Sequence, residues 1–317
     1  MGKYIVYRFI QAIPAMIGVT IIGFFLVHIV PGGPAQAMLG PKATPQKIAE
    51  IDRIYGLNKP LIVQYGIWMW QLLHGNLGQS YFYNQSVWSL IAVNLPRTLA
   101  IVGIGILLAH VGSVILGSLQ AYWKNSWFDY TATAVTYFFY AMPYFWLGII
   151  LILVFSVDLN WFPSGGLSNP LNPHPGFGSW VAHTTLPVAT MAIGTIAGWA
   201  QYMRTSMDET LVQDYIRTAR SKGVGEVMVV MKHALRNSIL PLITLLGFAL
   251  PSLFSGALFV EVVFNYPGMG LLFWNAAVQR DYPVILGIVV LTGLLTIVGN
   301  LLADLLYGLI DPRIKYS

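Results

Sequence analysis

The chain of 317 residues has no cysteine, which excludes a disulfide framework, thiol catalysis and cysteine-ligated zinc or iron–sulfur sites. Charge is scarce too. Only 9% of the residues are charged and 56% are apolar, whereas globular domains run near 25% charged, so an ordinary soluble domain is excluded. The formal net charge is +5, and the charges fall in short clusters between long uncharged stretches, which leaves no basic stripe for nucleic acid. The sequence contains no Gly-x-x-x-x-Gly-Lys-Ser/Thr phosphate loop, no His-Glu-x-x-His and no Gly-x-Ser-x-Gly. His28, His74, His110, His174, His183 and His233 lack metal-ligand spacing. Neither a bound metal nor a catalytic residue is therefore expected on this chain, and it is not expected to be an enzyme.

What the chain has in abundance is long apolar runs. A helix crosses the hydrocarbon core with about 20 predominantly apolar residues, because unpaired backbone groups cannot be left in lipid. Six stretches qualify, at about 9–30, 99–122, 132–157, 186–203, 239–260 and 284–310. They predict an all-α membrane protein of one domain with six transmembrane helices. Lys3 and Arg8 before the first run resemble a secretory signal, but the run exceeds a signal core and no small-x-small site follows, so it reads as a retained span. With the N-terminus inside, that side holds Lys3, Arg8, Lys124, the group Arg204 to Arg236, Arg313 and Lys315, while the short outside loops hold only Arg280. The remaining cations lie in or beside the outside loop 31–96, about 65 residues long, which translocates largely regardless of charge. Both termini are expected in the cytoplasm.

Two connections exceed simple turns. In the outside loop, Thr44-Pro45 opens a short helix that Gly56 ends. A second, Leu61 to Leu73, carries Trp68 and Trp70. These read equally as amphipathic helices on the membrane surface and as a docking surface for an outside partner. In the inside segment 208–237, Leu211, Val212, Tyr215, Ile216 and Ala219 form one helical stripe. Gly223 and Gly225 break it, and Val227, Val230, Met231 and Ala234 form the next stripe. The ends of the neighbouring spans or lipid headgroups would cover such stripes. The small residues Ala219 and Gly223 favour a protein partner in close contact.

At this segment the sequence resembles a known family. Asp214-Tyr215-Ile216-Arg217-Thr218-Ala219-Arg220-Ser221-Lys222-Gly223, then His233-Ala234-Leu235-Arg236-Asn237 and Ile239-Leu240-Pro241, resemble the cytoplasmic signature of permease subunits of bacterial ABC importers, in the dipeptide/oligopeptide group. Arg217-Thr218-Ala219 stands where the general signature has Glu-Ala-Ala, a departure typical of the peptide group. Pro31-Gly32-Gly33-Pro34, Gly56-Leu57 with Pro60 and Gln64-Tyr65, and Gly75-Asn76-Leu77-Gly78-Gln79-Ser80 resemble the first outside loop of the B-type subunit. Pro143, Gly148, Trp161-Phe162-Pro163, Gly165-Gly166, Glu261, Val263-Phe264, Pro267-Gly268-Met269-Gly270, Arg280-Asp281-Tyr282-Pro283 and Asp311-Pro312-Arg313-Ile314 follow in order.

The resemblance implies a type I importer permease fold in a bacterial or archaeal plasma membrane. It implies a second homologous, C-type permease that shares the translocation path, two ATPase subunits carrying ATP and Mg, and an extracytoplasmic binding protein that delivers substrate. Asp214, Tyr215, Thr218, Ala219, Arg220 and Gly223 would be the ATPase-coupling residues. Peptides are the substrate the resemblance favours, with nickel chelates, glutathione, haem and oligosaccharides as family alternatives. A secondary transporter would carry coupling groups near the midplane, where these spans are apolar.

Two further expectations concern the path. The loop 264–282, with Pro267, Gly268, Met269, Gly270 and Leu272, dips back as a binding-protein contact or an outer gate. Glu261 and Asp304, costly in lipid, face the interior, a partner or water, or lie at the interface, and Asn300 shares the Asp304 face one turn earlier.

Overall fold

A computed structural model of the chain describes residues 2–29, 33–40, 43–168 and 176–310, with the side chains of 2–9, 37, 55, 247–256 and 302–310 also outside the description. Pro31, Gly32, Lys42, the Asp311–Ile314 motif, Lys315 and the side chain of Asp304 thus lie outside the described residues.

In chain order the helices are α1 (Gly2–Ile29), α2 (Gly33–Leu39), α3 (Pro45–Tyr55), α4 (Leu61–Leu73), α5 (Val87–Tyr122), α6 (Trp127–Ala141), α7 (Tyr144–Leu151), α8 (Phe177–Leu211), α9 (Asp214–Ser221), α10 (Glu226–Met228), α11 (Leu235–Ser238), α12 (Leu240–Val263), α13 (Met269–Gln279) and α14 (Tyr282–Ile310). A π-helical turn, Ile152–Asp158, continues α7, and a second, Val229–Ala234, joins α10 to α11. Four helices are long and apolar enough to cross a membrane, and two bent pairs raise the count to six: Trp127–Ala141 with Tyr144–Asp158 at 106°, and Glu226–Ser238 with Leu240–Leu246 at 47°. The third apolar run is thus two helices and not one, because Pro143 cannot continue α6 and instead stands at the N-cap of α7.

Two helices outrun their apolar stretches. The Ser86 side chain caps α5, accepting from the Ser89 N–H, and the helix continues through Pro96, where the sequence reading sets its start. In α8, Thr184, Thr190 and Thr210 donate to carbonyls one turn back, which hides their hydroxyls inside the helix and lets it extend beyond 186–203. The helix starting at Pro45 follows the sequence closely: Thr44 accepts from the Lys47 N–H and Gly56 is left-handed, φ 67°.

The chain divides into two compact units, Met1–Arg97 with Gly268–Val298, and Thr98–Pro267 with the chain from Gly299. In the first, Phe24 and Val27 of α1 pack with Tyr282 and Leu286 of α14, and Tyr65 and Trp68 of α4 cover them. Trp68 is therefore a packing residue, while Trp70 stays exposed. In the second, α5 lies so close to α8 that a Cβ on Gly117 would stand 2.5 Å from the Ala200 carbonyl oxygen. Only a residue without a side chain permits that approach.

Candidate functional site

The long inside connection starts where α8 ends at Leu211. Asp214 opens α9 and Arg220 sits in its last turn, each charge matching its end of the helix dipole. Gly223, left-handed at φ 79°, terminates the helix. Its N–H bonds the Arg220 carbonyl and the Val224 N–H bonds the Ala219 carbonyl, the paired bonds of a Schellman end. Beyond the turn, the Arg220 guanidinium pairs with Glu226 at 2.5 Å, and this hydrogen-bonded carboxylate raises the Arg220 pKa above its ordinary value.

Ile216 and Ala219 are buried with Met203 and Met207 of α8, Val229, Val230, Ala234 and Leu242. This corrects the reading that Ala219 offers a small face to a partner: its methyl belongs to the chain's own core. No described atom lies within 4 Å of a Cβ built on Gly223, so its glycine character serves the turn. Asp214, Tyr215, Thr218 and Arg220 remain on the open side, and the Tyr215 hydroxyl accepts from the Asn237 amide at 2.7 Å, joining the two halves of the signature. The second stripe also divides. The π-helical turn shifts the phase of the side chains, so Val229, Val230 and Ala234 turn inward while Val227, 74% exposed, and Met231, 61% exposed, turn out. Val212, Tyr215 and Met228 are exposed as well. The outer surface of this helical pair is thus open and apolar, with Arg217, Lys222 and Lys232 exposed along it.

Several motifs distant in sequence converge. The Phe264 carbonyl accepts from the Gly166 N–H at 2.9 Å, and a Cβ on Gly165 would stand 2.1 Å from that same oxygen. The His183 ring meets the Gly165 carbonyl at 2.9 Å. One turn before Phe264, Glu261 is fully buried and accepts from the Thr98 hydroxyl at 2.5 Å. Glu261 is therefore an interior anchor in this structure, not a wall residue of an open path. Asn300, its expected companion in the path, is exposed on α14.

In the other unit, Asp281 is fully buried and accepts from the Ser80 hydroxyl and from the N–H groups of Tyr81 and Phe82. Arg280 ends α13 in the left-handed region, φ 58°, and this turn delivers Asp281 to the Gly75–Ser80 loop. Met269, Gly270 and Leu272 are buried and Pro267 is partly buried, so Met269 and Leu272 are packing groups and not a contact surface for a binding protein. The open side of α13 is Trp274 with Val278. A cavity of about 540 Å³ between α1, α4 and the Leu77–Tyr81 loop is lined by uncharged side chains, among them His28, Gln64 and Trp68. Among the described residues, no three His, Asp or Glu side chains come together as a metal site.

Apolar spans, with a short polar-capped helix folded onto the end of a long one, define the membrane half of a transporter. Residues 113–316 match the family described as "binding-protein-dependent transport system inner membrane component", and residues 1–102 match the N-terminal component of the same system. The chain belongs to this family and is a permease component of a binding-protein-dependent transport system. It is 41% identical to the oligopeptide transport system permease protein AppB of Bacillus subtilis over the full length of both chains. It is 37% identical to the dipeptide transport system permease protein DppB of Alkalihalophilus pseudofirmus, again over the full length of both. A chain of the MetNI methionine ABC transporter, in an inward-facing conformation, matches with a TM-score of 0.53 at 16% identity over 68% of this chain and 96% of that one. That likeness is one of fold, the type I ABC importer permease fold.

Proposed function

We propose that the chain is the B-type permease of an ATP-driven importer of dipeptides or oligopeptides. It pairs with a second homologous, C-type permease, binds two ATPase subunits from the cytoplasm and receives substrate from an extracytoplasmic binding protein. The observation that carries the ATPase contact is the open apolar surface of α9 and the helix after it, built on an internal core continuous with α8. ATP and Mg belong to the partner subunits. A rigid helix seated on an ATPase would pass its displacement to the spans, which have inward-open and outward-open arrangements. The cations along this segment place it inside, and with it both termini. On the opposite side, Trp274 and Val278 are the open apolar groups of α13 available to a binding protein.

Peptide as substrate rests on the full-length likeness to peptide permeases. Copurification of the tagged chain with ATPase subunits tests the assembly. Uptake of labelled di- and tripeptides against a nickel chelate and glutathione tests the substrate. An isolated chain, or uptake of a non-peptide solute alone, would contradict the corresponding half of the proposal.

A further inference from the structure

Helices α6 and α8 lie antiparallel, as their pairings show. Asp129 meets Arg204 at 2.8 Å, Thr136 meets Gln201 at 2.7 Å, and the Tyr140 ring abuts Gly198. Two antiparallel right-handed helices are related by a dyad normal to the plane of their axes, so the flank one position beyond the contact residues falls on the same side in both. On α6 that flank carries Tyr130 and Tyr137. On α8 it carries Thr195, Tyr202 and Ser206. Tyr137 and Tyr202 are each 56% exposed, and among the described residues nothing bonds the hydroxyls of Tyr130, Tyr137 or Tyr202. The other open flank of α6 differs: Val135 and Phe138 are exposed there, and the Thr131 hydroxyl is turned back onto the Trp127 carbonyl. Hydroxyls are open on one side only.

Lipid suits the Val135 flank and not the tyrosine flank. Tyr137 lies ten residues beyond Trp127, about 15 Å of helical rise, or half the ~30 Å hydrocarbon thickness, where a hydroxyl facing acyl chains has no partner. We infer that the Tyr130–Tyr137 flank of α6 and the Thr195–Tyr202–Ser206 flank of α8 form one wall of the translocation path, a wall that receives peptides through their amide groups. No charged side chain occurs on α6 between Tyr130 and Ala141, or on α8 between Thr195 and Gln201. Tyrosine hydroxyls serve both amide N–H and C=O, and their rings receive side chains without selecting among them. The peptide part of this inference rests on the proposed substrate; the wall itself does not.

The absence of cysteine makes the test direct. Single Ala134→Cys, Ala141→Cys and Ser206→Cys variants on the wall, and Val135→Cys and Phe138→Cys on the opposite flank, are assembled with partner subunits in proteoliposomes. They are treated with a water-soluble cationic methanethiosulfonate reagent in nucleotide-free and ATP-bound states. Wall variants should react at least ten-fold faster than opposite-flank variants in one of the states and lose uptake on modification. Equal reactivity of the two flanks overturns the wall, as does protection of the wall variants in every state of the complex but not in the isolated chain, which marks a permease–permease interface. With the wall established, Tyr137→Phe and Tyr202→Phe should raise the KM for peptide uptake several-fold with ATPase assembly unchanged. Unchanged KM, or protection from the reagent by a non-peptide solute in place of peptide, overturns the amide assignment and leaves the wall standing.

Discussion

Asp281 shows how much one buried carboxylate organises. A charge withdrawn from water has to be met by donors, and here the Ser80 hydroxyl and two backbone N–H groups supply them. Asp281→Ala leaves those donors short of an acceptor and should cost about 1–3 kcal/mol, seen as a lower melting temperature of the solubilised complex. Arg280→Gly, at a left-handed position, should by contrast leave the melting temperature unchanged or higher. The sequence presents Arg280-Asp281-Tyr282-Pro283 and Gly75 to Ser80 as separate runs about 200 positions apart, and no periodicity joins them. Glu261 was visible as a costly charge near a span end, but the partner that neutralises the cost, Thr98, lies on a helix whose start the sequence reading set at residue 99. Local turns were far more legible. Thr44, Pro45 and Gly56 mark the ends of their helix because capping is decided by neighbours within one turn.

Helix faces were read less well than helix existence, and the reasons are specific. The stripe predicted for Val227, Val230, Met231 and Ala234 assumes 3.6 residues per turn, and the π-helical turn at Val229–Ala234 breaks that phase. Ala219 lies inside because α9 folds back onto α8, which composition does not encode. Two outcomes follow. Ala219→Trp overpacks the Met203–Ile216 core and should reduce the amount of folded permease. Tyr215→Ala together with Val227→Asp, both on the open side, should leave folded permease unchanged and lower the amount of ATPase that copurifies by about ten-fold, roughly 1.4 kcal/mol. Equal loss of folded protein in both would place the open side in the core as well. At the α5–α8 contact, Gly117→Ala should destabilise by about 1–3 kcal/mol, since its Cβ has no room against Ala200. Gly103→Ala on the same helix, with no described atom within 4 Å of its Cβ, should stabilise slightly through helix propensity. Thermal unfolding of the two variants separates packing from propensity.

For the whole molecule, the scarcity of charge, six apolar runs and the asymmetry of Lys and Arg were enough to predict a polytopic helical membrane protein, and the order of short motifs along the chain pointed to the importer permeases. The bend of 106° at Pro143 was less legible, because an apolar run reads the same whether or not a proline turns it. The account has two levels. The chain is a membrane component of a binding-protein-dependent transport system, and its proposed work is to pass peptides inward when partner ATPases act on α9 and the helix that follows.

The most direct test of that work is peptide uptake into proteoliposomes. They would contain this chain, its partner permease and the ATPase subunits, with the liganded binding protein outside and ATP inside. The account predicts ATP-dependent accumulation of labelled dipeptide or oligopeptide that is abolished by Tyr215→Ala together with Val227→Asp in assemblies that still insert normally. Accumulation that proceeds without ATP, or that is indifferent to this double substitution, would contradict it.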